Sequence, residues 1–317
     1  PVNTAKLRLH PMKLIVSSLL LIGISLPVFS KDLEIAEDFG LMDQSGNFHQ
    51  LSYYQKDPQT KGIVIFTHGI GCPLVRKRYE DLAALNKQYG DKGIRFWMLN
   101  ANDQDERSDL IEEKDEYKVS LPILDDTAQE VARSLNVDRT GEAILIETSS
   151  HGILYRGAID DRLSYEKEKP MASKTHLKNA IDDLLAERPV SISRTDAPGC
   201  LIHFSAWEER SEKTISYTKE IAPIIQEKCV SCHLKGGIGP FAFSSFRKAR
   251  GWSDMMREVL MTRRMPPWQA DPHHGTFSQD LSLTTEEKQT LLHWIEQGTP
   301  RGDGEDPLAI KVAEVEP

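Results

Sequence analysis

The sequence predicts an α/β domain, with a central mixed sheet flanked by helices, followed by a small all-α domain. Three observations lead there. Between Lys31 and Phe204, short apolar runs of strand character alternate with stretches of helical period. After Trp207 no convincing strand follows, and short helical stretches are separated by glycine and proline. At 317 residues the chain is long enough for two such domains.

The elements follow in order. Met12 to Ser30 reads as a secretory leader: Lys13 with Lys6 and Arg8 supplies charge, and Leu14 to Phe29 the apolar core. Val28 and Ser30 supply the small residues of a cleavage site. The expected location is therefore periplasmic or secreted, with a membrane tether if the leader stays uncleaved, and no stable span after cleavage. "GIVIF" (Gly62 to Phe66) and "IRFWML" (Ile94 to Leu99) read as buried strands, with a helix from Val75 to Tyr89 between them. A polar helix is expected near Glu106 to Tyr117. "LPIL" (Leu121 to Leu124) precedes a helix at Ala128 to Leu135. "AILIE" and "ILYRG" form a hairpin, and Thr175 to Glu187 closes the region with Leu177, Ala180, Ile181, Leu184 and Leu185 on one face.

Arg188 to Pro198 reads as connecting chain. Helices are expected at Ser216 to Glu227, limited by Pro223, and at Ser253 to Thr262. Another follows Thr284, where Thr284 and Glu287 form a capping box and Gly298 with Pro300 stops the helix. The expected division is 1–30 upstream residues and leader, 31–204 α/β domain, 205–213 linker, 214–303 helical domain and 304–317 acidic tail. The formal charge of −9 argues against a nucleic-acid partner, which needs a basic surface.

Chemistry concentrates in the four cysteines. "CVSCH", Cys229 to His233, is the C-x-x-C-H signature of covalent haem attachment, in which two thiols bond the porphyrin and the adjacent histidine ligates iron. A structural zinc needs further ligands, for which only His273 and His274 offer themselves. A dithiol redox pair usually follows a strand, whereas this one follows a helical stretch. One covalent haem c is the expectation. For the opposite axial position Met265 stands out in "TRRMPPW", where Pro266 and Pro267 stiffen the chain; Met261 is its best rival, ahead of Met255, Met256 and the histidine pair.

Thr214 to Asp303 resembles the small c-type cytochrome domains of secreted bacterial multidomain proteins. The matching stretches are "SYTKEIAPIIQEKCVSCH", "GGIGPF", "RRMPPWQADPHHGTF" and "LSLTTEEKQTLLHWIEQGTPRGD". The resemblance implies Cys229, Cys232, His233 and Met265 as haem-binding residues, with His233 and Met265 on the iron. It also implies that the Pro240 carbonyl orients the His233 ring and that Trp268 packs near the haem edge.

Cys72, in "THGIGCPLVRKRY", lies where a strand gives way to a helix. The helix start and the cations Arg76, Lys77 and Arg78 are expected to lower its pKa and make it a nucleophile toward peroxide or disulfide; a buried, inert cysteine is the alternative. The order of elements and this junction, from about Asp32 to Ile202, resemble the thioredoxin fold in its redoxin and peroxide-scavenging branch. "LMDQSGNFHQLSYY" and "LYRGAIDDR" carry the likeness as its entry and final hairpins, and "DAPGC" near Cys200 resembles a subgroup in which such a domain is fused ahead of a cytochrome. The chain departs from that pattern at Val75, where the dithiol form has cysteine. It departs again at Gly69, where peroxiredoxins have threonine, and at Gly141, where a cis-proline is expected. Arg139 is a possible anion holder or a solvated surface arginine. Cys200 is either a resolving partner for Cys72 or half of a permanent disulfide.

Together these readings imply a periplasmic oxidoreductase. Cys72 and Cys200 are its catalytic residues, peroxide or a protein disulfide its substrate, and the haem exchanges electrons with a protein partner. A non-enzymatic electron-transfer module, in which the first domain only docks a partner oxidase or monooxygenase, is the alternative. A copper-handling protein using His68 and Cys72 is the second.

Overall fold

The computed structural model describes residues 33–267, 275–278 and 280–309; the leader, Trp268, His273, His274 and 310–317 lie outside them. A two-stranded ribbon, β1 (Gly40–Met42) and β2 (Phe48–Gln50), opens the described chain. The main sheet holds β3 (Gly62–His68), β4 (Ile94–Asn100), β5 (Ile123–Asp125), β6 (Ala143–Glu147) and β7 (Ile153–Gly157). Its order is β5-β4-β3-β6-β7. The first three strands run parallel and β6 and β7 antiparallel, so the sheet is mixed, as expected.

Because successive side chains of a strand point to opposite faces, each buried strand feeds two cores. Ile63 and Ile65 of β3, Trp97 and Leu99 of β4, and Ile144 and Ile146 of β6 enter one core. Val64, Phe66, Phe96, Met98, Ala143 and Leu145 enter the other. The second core is roofed by α1 (Pro73–Arg76), α2 (Tyr79–Tyr89), α3 (Arg107–Tyr117) and α5 (His176–Leu185). The hydrophobic stripe expected on α5 is buried, with Leu177, Ala180, Ile181 and Leu184 inward.

The first core carries α4 (Glu130–Ser134) and then continues without a break into the helices that follow. These are α6 (Ser205–Ser211), α7 (Ala222–Lys228), α8 (Phe246–Gly251), α9 (Ser253–Met261) and α10 (Thr285–Glu296). The segment read as a linker is thus helical: α6 buries Trp207, whose Nε1–H donates to the Ala128 carbonyl at 3.0 Å and whose ring lies 3.8 Å from the Arg133 guanidinium. Lys288 of α10 pairs with the buried Glu130 of α4. The described start of the tail, up to residue 309, also docks. Tyr217 donates to Asp306 at 2.7 Å, and Leu308 is buried.

Other boundaries moved for local reasons. The helix expected over Val75 to Tyr89 breaks at Arg78, whose guanidinium is buried and paired with Asp81 and Asp160. The one expected at Ala128 starts only at Glu130, because Gln129 takes a left-handed φ of 61°. Pro223 does not end its helix; a π-helical turn at Tyr217–Ile221 precedes it, and α7 takes it in its first turn, where a missing amide costs nothing. The α10 capping box forms as expected, and Gly298 at φ 79° terminates the helix. Among the described residues no helix is long and apolar enough to cross a membrane.

Candidate functional site

Cys72 is the residue before α1 and is buried, while Cys200 is exposed at the end of the connecting chain. The fold brings their sulfurs within 2.8 Å, so a disulfide between them needs little movement. Thr140, from the loop before β6, organises the pair. Its hydroxyl donates to Cys72 Sγ at 3.3 Å and accepts the Cys200 amide at 3.0 Å.

Burial pushes the Cys72 thiol up. The hydrogen bonds from Cys200, from Thr140 and from the Val75 and Leu74 amides outweigh that and hold it below its ordinary value. Burial, together with the Cys72 sulfur beside it, raises Cys200. One sulfur is thus biased toward thiolate and its neighbour toward thiol, the division of labour of a nucleophile and a resolving partner.

The cations expected to activate Cys72 are spent elsewhere. Arg76 makes a two-bond contact with Glu113, Lys77 meets Glu168 at 2.5 Å, and Arg78 holds Asp81 and Asp160. Arg139 is equally occupied, by Asp138 at 3.0 Å and by Tyr165 at 2.7 Å. Thr140, which sequence reasoning missed, answers one of the departures. A Cβ at Gly69 would stand 2.7 Å from Thr140 Cγ2, so the space of the absent threonine side chain is filled from another element. At Gly141 the φ of 81° and a carbonyl of Pro198 2.7 Å from any added Cβ both require glycine.

A cavity of about 180 Å³ opens over the pair, lined by Gly69 to Cys72, by Asn102 to Gln104 and by Thr140, Cys200, Leu201 and His203. His68 does not line it. Its Nε2 lies 3.0 Å from the Tyr79 hydroxyl, which donates to Glu113, and burial lowers its pKa to about 4. Its Nε2 is thus engaged with Tyr79, away from the cavity over the cysteine pair.

The C-terminal helices enclose a second, apolar cavity of about 360 Å³. Cys229, Cys232, His233, Pro240 and Met265 all line it, and so do Met255 and Met256; Met261, the rival to Met265, does not. His233 is buried, and its Nδ1 lies 3.1 Å from the carbonyl of Phe241 rather than that of Pro240. The chain passes so close at Gly239 that a Cβ there would stand 2.7 Å from His233 Nδ1.

Burial pushes the Cys229 thiol up to about 12. A thiol so far from ionising is a poor exchange nucleophile, because that role needs thiolate. Among the described residues no group of three or more His, Cys, Asp or Glu is placed to hold a metal ion. The set that does converge here has another character: two thiols, one imidazole and the thioethers of Met255, Met256 and Met265 around an apolar cavity, a donor set that fits haem c.

A strand-to-helix cysteine junction on a mixed sheet of this order decides the fold of the first part. Residues 33–159 match the AhpC/TSA family. This stretch, about two fifths of the chain, is similar to the thioredoxin-like redoxin domains of that family. No curated protein matches the chain. Among solved structures, a hypothetical protein from Sinorhizobium meliloti is 23% identical over 54% of this chain and 92% of its own, with a TM-score of 0.48. An uncharacterized conserved protein from Geobacillus kaustophilus is 26% identical over 55% and 92%, also at 0.48. A putative thiol:disulfide interchange protein DsbE from Chlorobium tepidum is 18% identical over 48% and 96%, at 0.39.

Proposed function

We propose that this chain is an extracytoplasmic redox protein that joins a peroxide- or disulfide-reducing thiol site to one-electron transfer through a covalently held haem c. The observation that carries the thiol half is the 2.8 Å approach of a buried, thiolate-biased Cys72 to an exposed, proton-retaining Cys200. With peroxide, the Cys72 thiolate bonds to one oxygen as the O–O bond breaks; the second oxygen leaves and takes a proton. Cys200 then attacks the resulting sulfenic acid, water is lost and the disulfide closes. Two electrons have left the protein, and a reductant must return them.

The haem half rests on the convergence of its expected residues on one apolar cavity. When bound there, the group supplies one-electron exchange with a partner protein. Cys229 and Cys232 supply the sulfurs for thioether bonds. With Nδ1–H donated to the Phe241 carbonyl, His233 keeps its lone pair on Nε2, the tautomer a ligand requires. Met265 supplies a thioether, and aromatic neighbours such as Phe243 and Trp252 keep water away. The leader-like Met12 to Ser30 supports export, the setting in which such a group and the 72–200 disulfide persist.

The test uses full-length protein matured in a host that exports and loads haem c. Expected are a haem spectrum that survives denaturation and peroxide-driven loss of two thiols that disappears in Cys72→Ser. Colourless protein sinks the haem half. Thiol turnover persisting in Cys72→Ser sinks the other, whereas haem reduction by a partner with no thiol turnover in the unaltered protein leaves an electron-transfer module.

A further inference from the structure

The connecting chain does more than deliver Cys200. Residues 199–202 lie along the loop before β6 as an added strand. The Thr140 amide donates to the Cys200 carbonyl at 2.9 Å, the Ile202 amide donates to the Asp138 carbonyl at 3.0 Å, and Leu201 pairs antiparallel with Arg139. The Cys200 amide is held by the Thr140 hydroxyl. Tyr165 clamps the entry: its hydroxyl accepts the Gly199 amide at 3.0 Å and donates to the Gly199 carbonyl at 2.9 Å. The approach is close enough that a Cβ on Gly199 would fall 1.6 Å from the Thr140 carbonyl oxygen.

An extended peptide joins an open backbone edge through this same pattern of hydrogen bonds. Here the edge beside Cys72 is already filled by the chain itself, with a cysteine presented to the nucleophile. Resting on the thiol function proposed above, we infer that residues 199–202 are a built-in strand that closes Cys72 to protein disulfides and directs an external dithiol reductant to Cys200. Cys72 is 4% exposed, whereas Cys200 faces solvent. What reaches Cys72 is confined to the cavity of about 180 Å³, which suits a small hydroperoxide.

The exchange balances. One thiolate of the reductant bonds to the Cys200 sulfur, the Cys72–Cys200 bond breaks, and Cys72 departs as thiolate, the better leaving group of the two. The second thiolate of the reductant attacks its own sulfur in the mixed disulfide. The reductant leaves oxidised, and Cys200 takes up a proton.

Glutathione, a monothiol, stops this sequence at its first step. Full-length, haem-loaded protein is oxidised with hydrogen peroxide, treated briefly with glutathione, quenched with acid, alkylated and mapped by peptide mass. The expected product carries glutathione on Cys200 and the alkyl group on Cys72, at least tenfold over the reverse. Reduced protein should also react at least tenfold faster with hydrogen peroxide than with a disulfide-linked peptide. A disulfide that forms but yields the adduct on Cys72, or a peptide disulfide reacting as fast as peroxide, overturns the strand's role and leaves the thiol function standing. Failure of peroxide to link Cys72 to Cys200 overturns both.

Discussion

Cys72 and Cys200 meet from opposite ends of the α/β region, whereas Cys229 and Cys232 are neighbours in the chain, and their surroundings differ accordingly. Around the first pair, hydrogen-bond donors from three segments overcome the cost of burying a charge. Around the second, burial acts without such donors and the Cys229 thiol rises to about 12. The same residue type is thus prepared for exchange at one site and withheld from it at the other. What separates them is the polar company around Cys72 together with the heavier desolvation of Cys229.

The contrast breaks most decisively at the second pair. Cys229→Ser with Cys232→Ser is expected to abolish covalent haem, read as loss of colour from denatured protein, while the 72–200 disulfide still forms under peroxide. The reciprocal change, Cys72→Ser, should slow peroxide-driven thiol oxidation by at least about 100-fold, because the nucleophile is gone. The visible spectrum should not move.

Two smaller changes sharpen the comparison. Met265→His should lower the haem potential by at least about 59 mV, a tenfold shift in a one-electron equilibrium, measured by spectroscopic redox titration. An unchanged potential would remove Met265 as a ligand. Thr140→Val deletes a hydrogen bond worth about 1 kcal/mol, so Cys72 alkylation at neutral pH should slow by roughly five- to tenfold. The sign follows from the donor it removes. Without it the thiol pKa rises and the thiolate fraction falls near neutrality, and the deficit closes as pH climbs above both values.

Periodicity carried the fold. The apolar runs "GIVIF" and "IRFWML", the α5 stripe and the α10 cap were all readable, because local pattern and burial agree there. The junction cysteine and the C-x-x-C-H stretch were readable for the same reason, as short motifs with local geometry. Contacts between distant segments were not. Thr140 reaches Cys72 across 68 residues, and Tyr165 reaches Gly199 across 34. The cations near Cys72 misled because sequence shows a charge but not the carboxylate that claims it; Arg76 finds Glu113 on α3. Pro240 missed by one residue, since the path of a glycine turn is set by what it passes.

The single core running from the sheet face to α10 gives the two parts a shared fate. A first domain cut free after Ile202 would lose the contacts that Trp207, Lys288 and Gln289 make with Ala128, Glu130 and Arg133, and with them part of the cover of the shared core. The C-terminal helices would lose the same surface. Heat or denaturant should therefore melt the thiol site and the apolar C-terminal cavity in one transition, and engineering either half alone means first inventing a new surface for it.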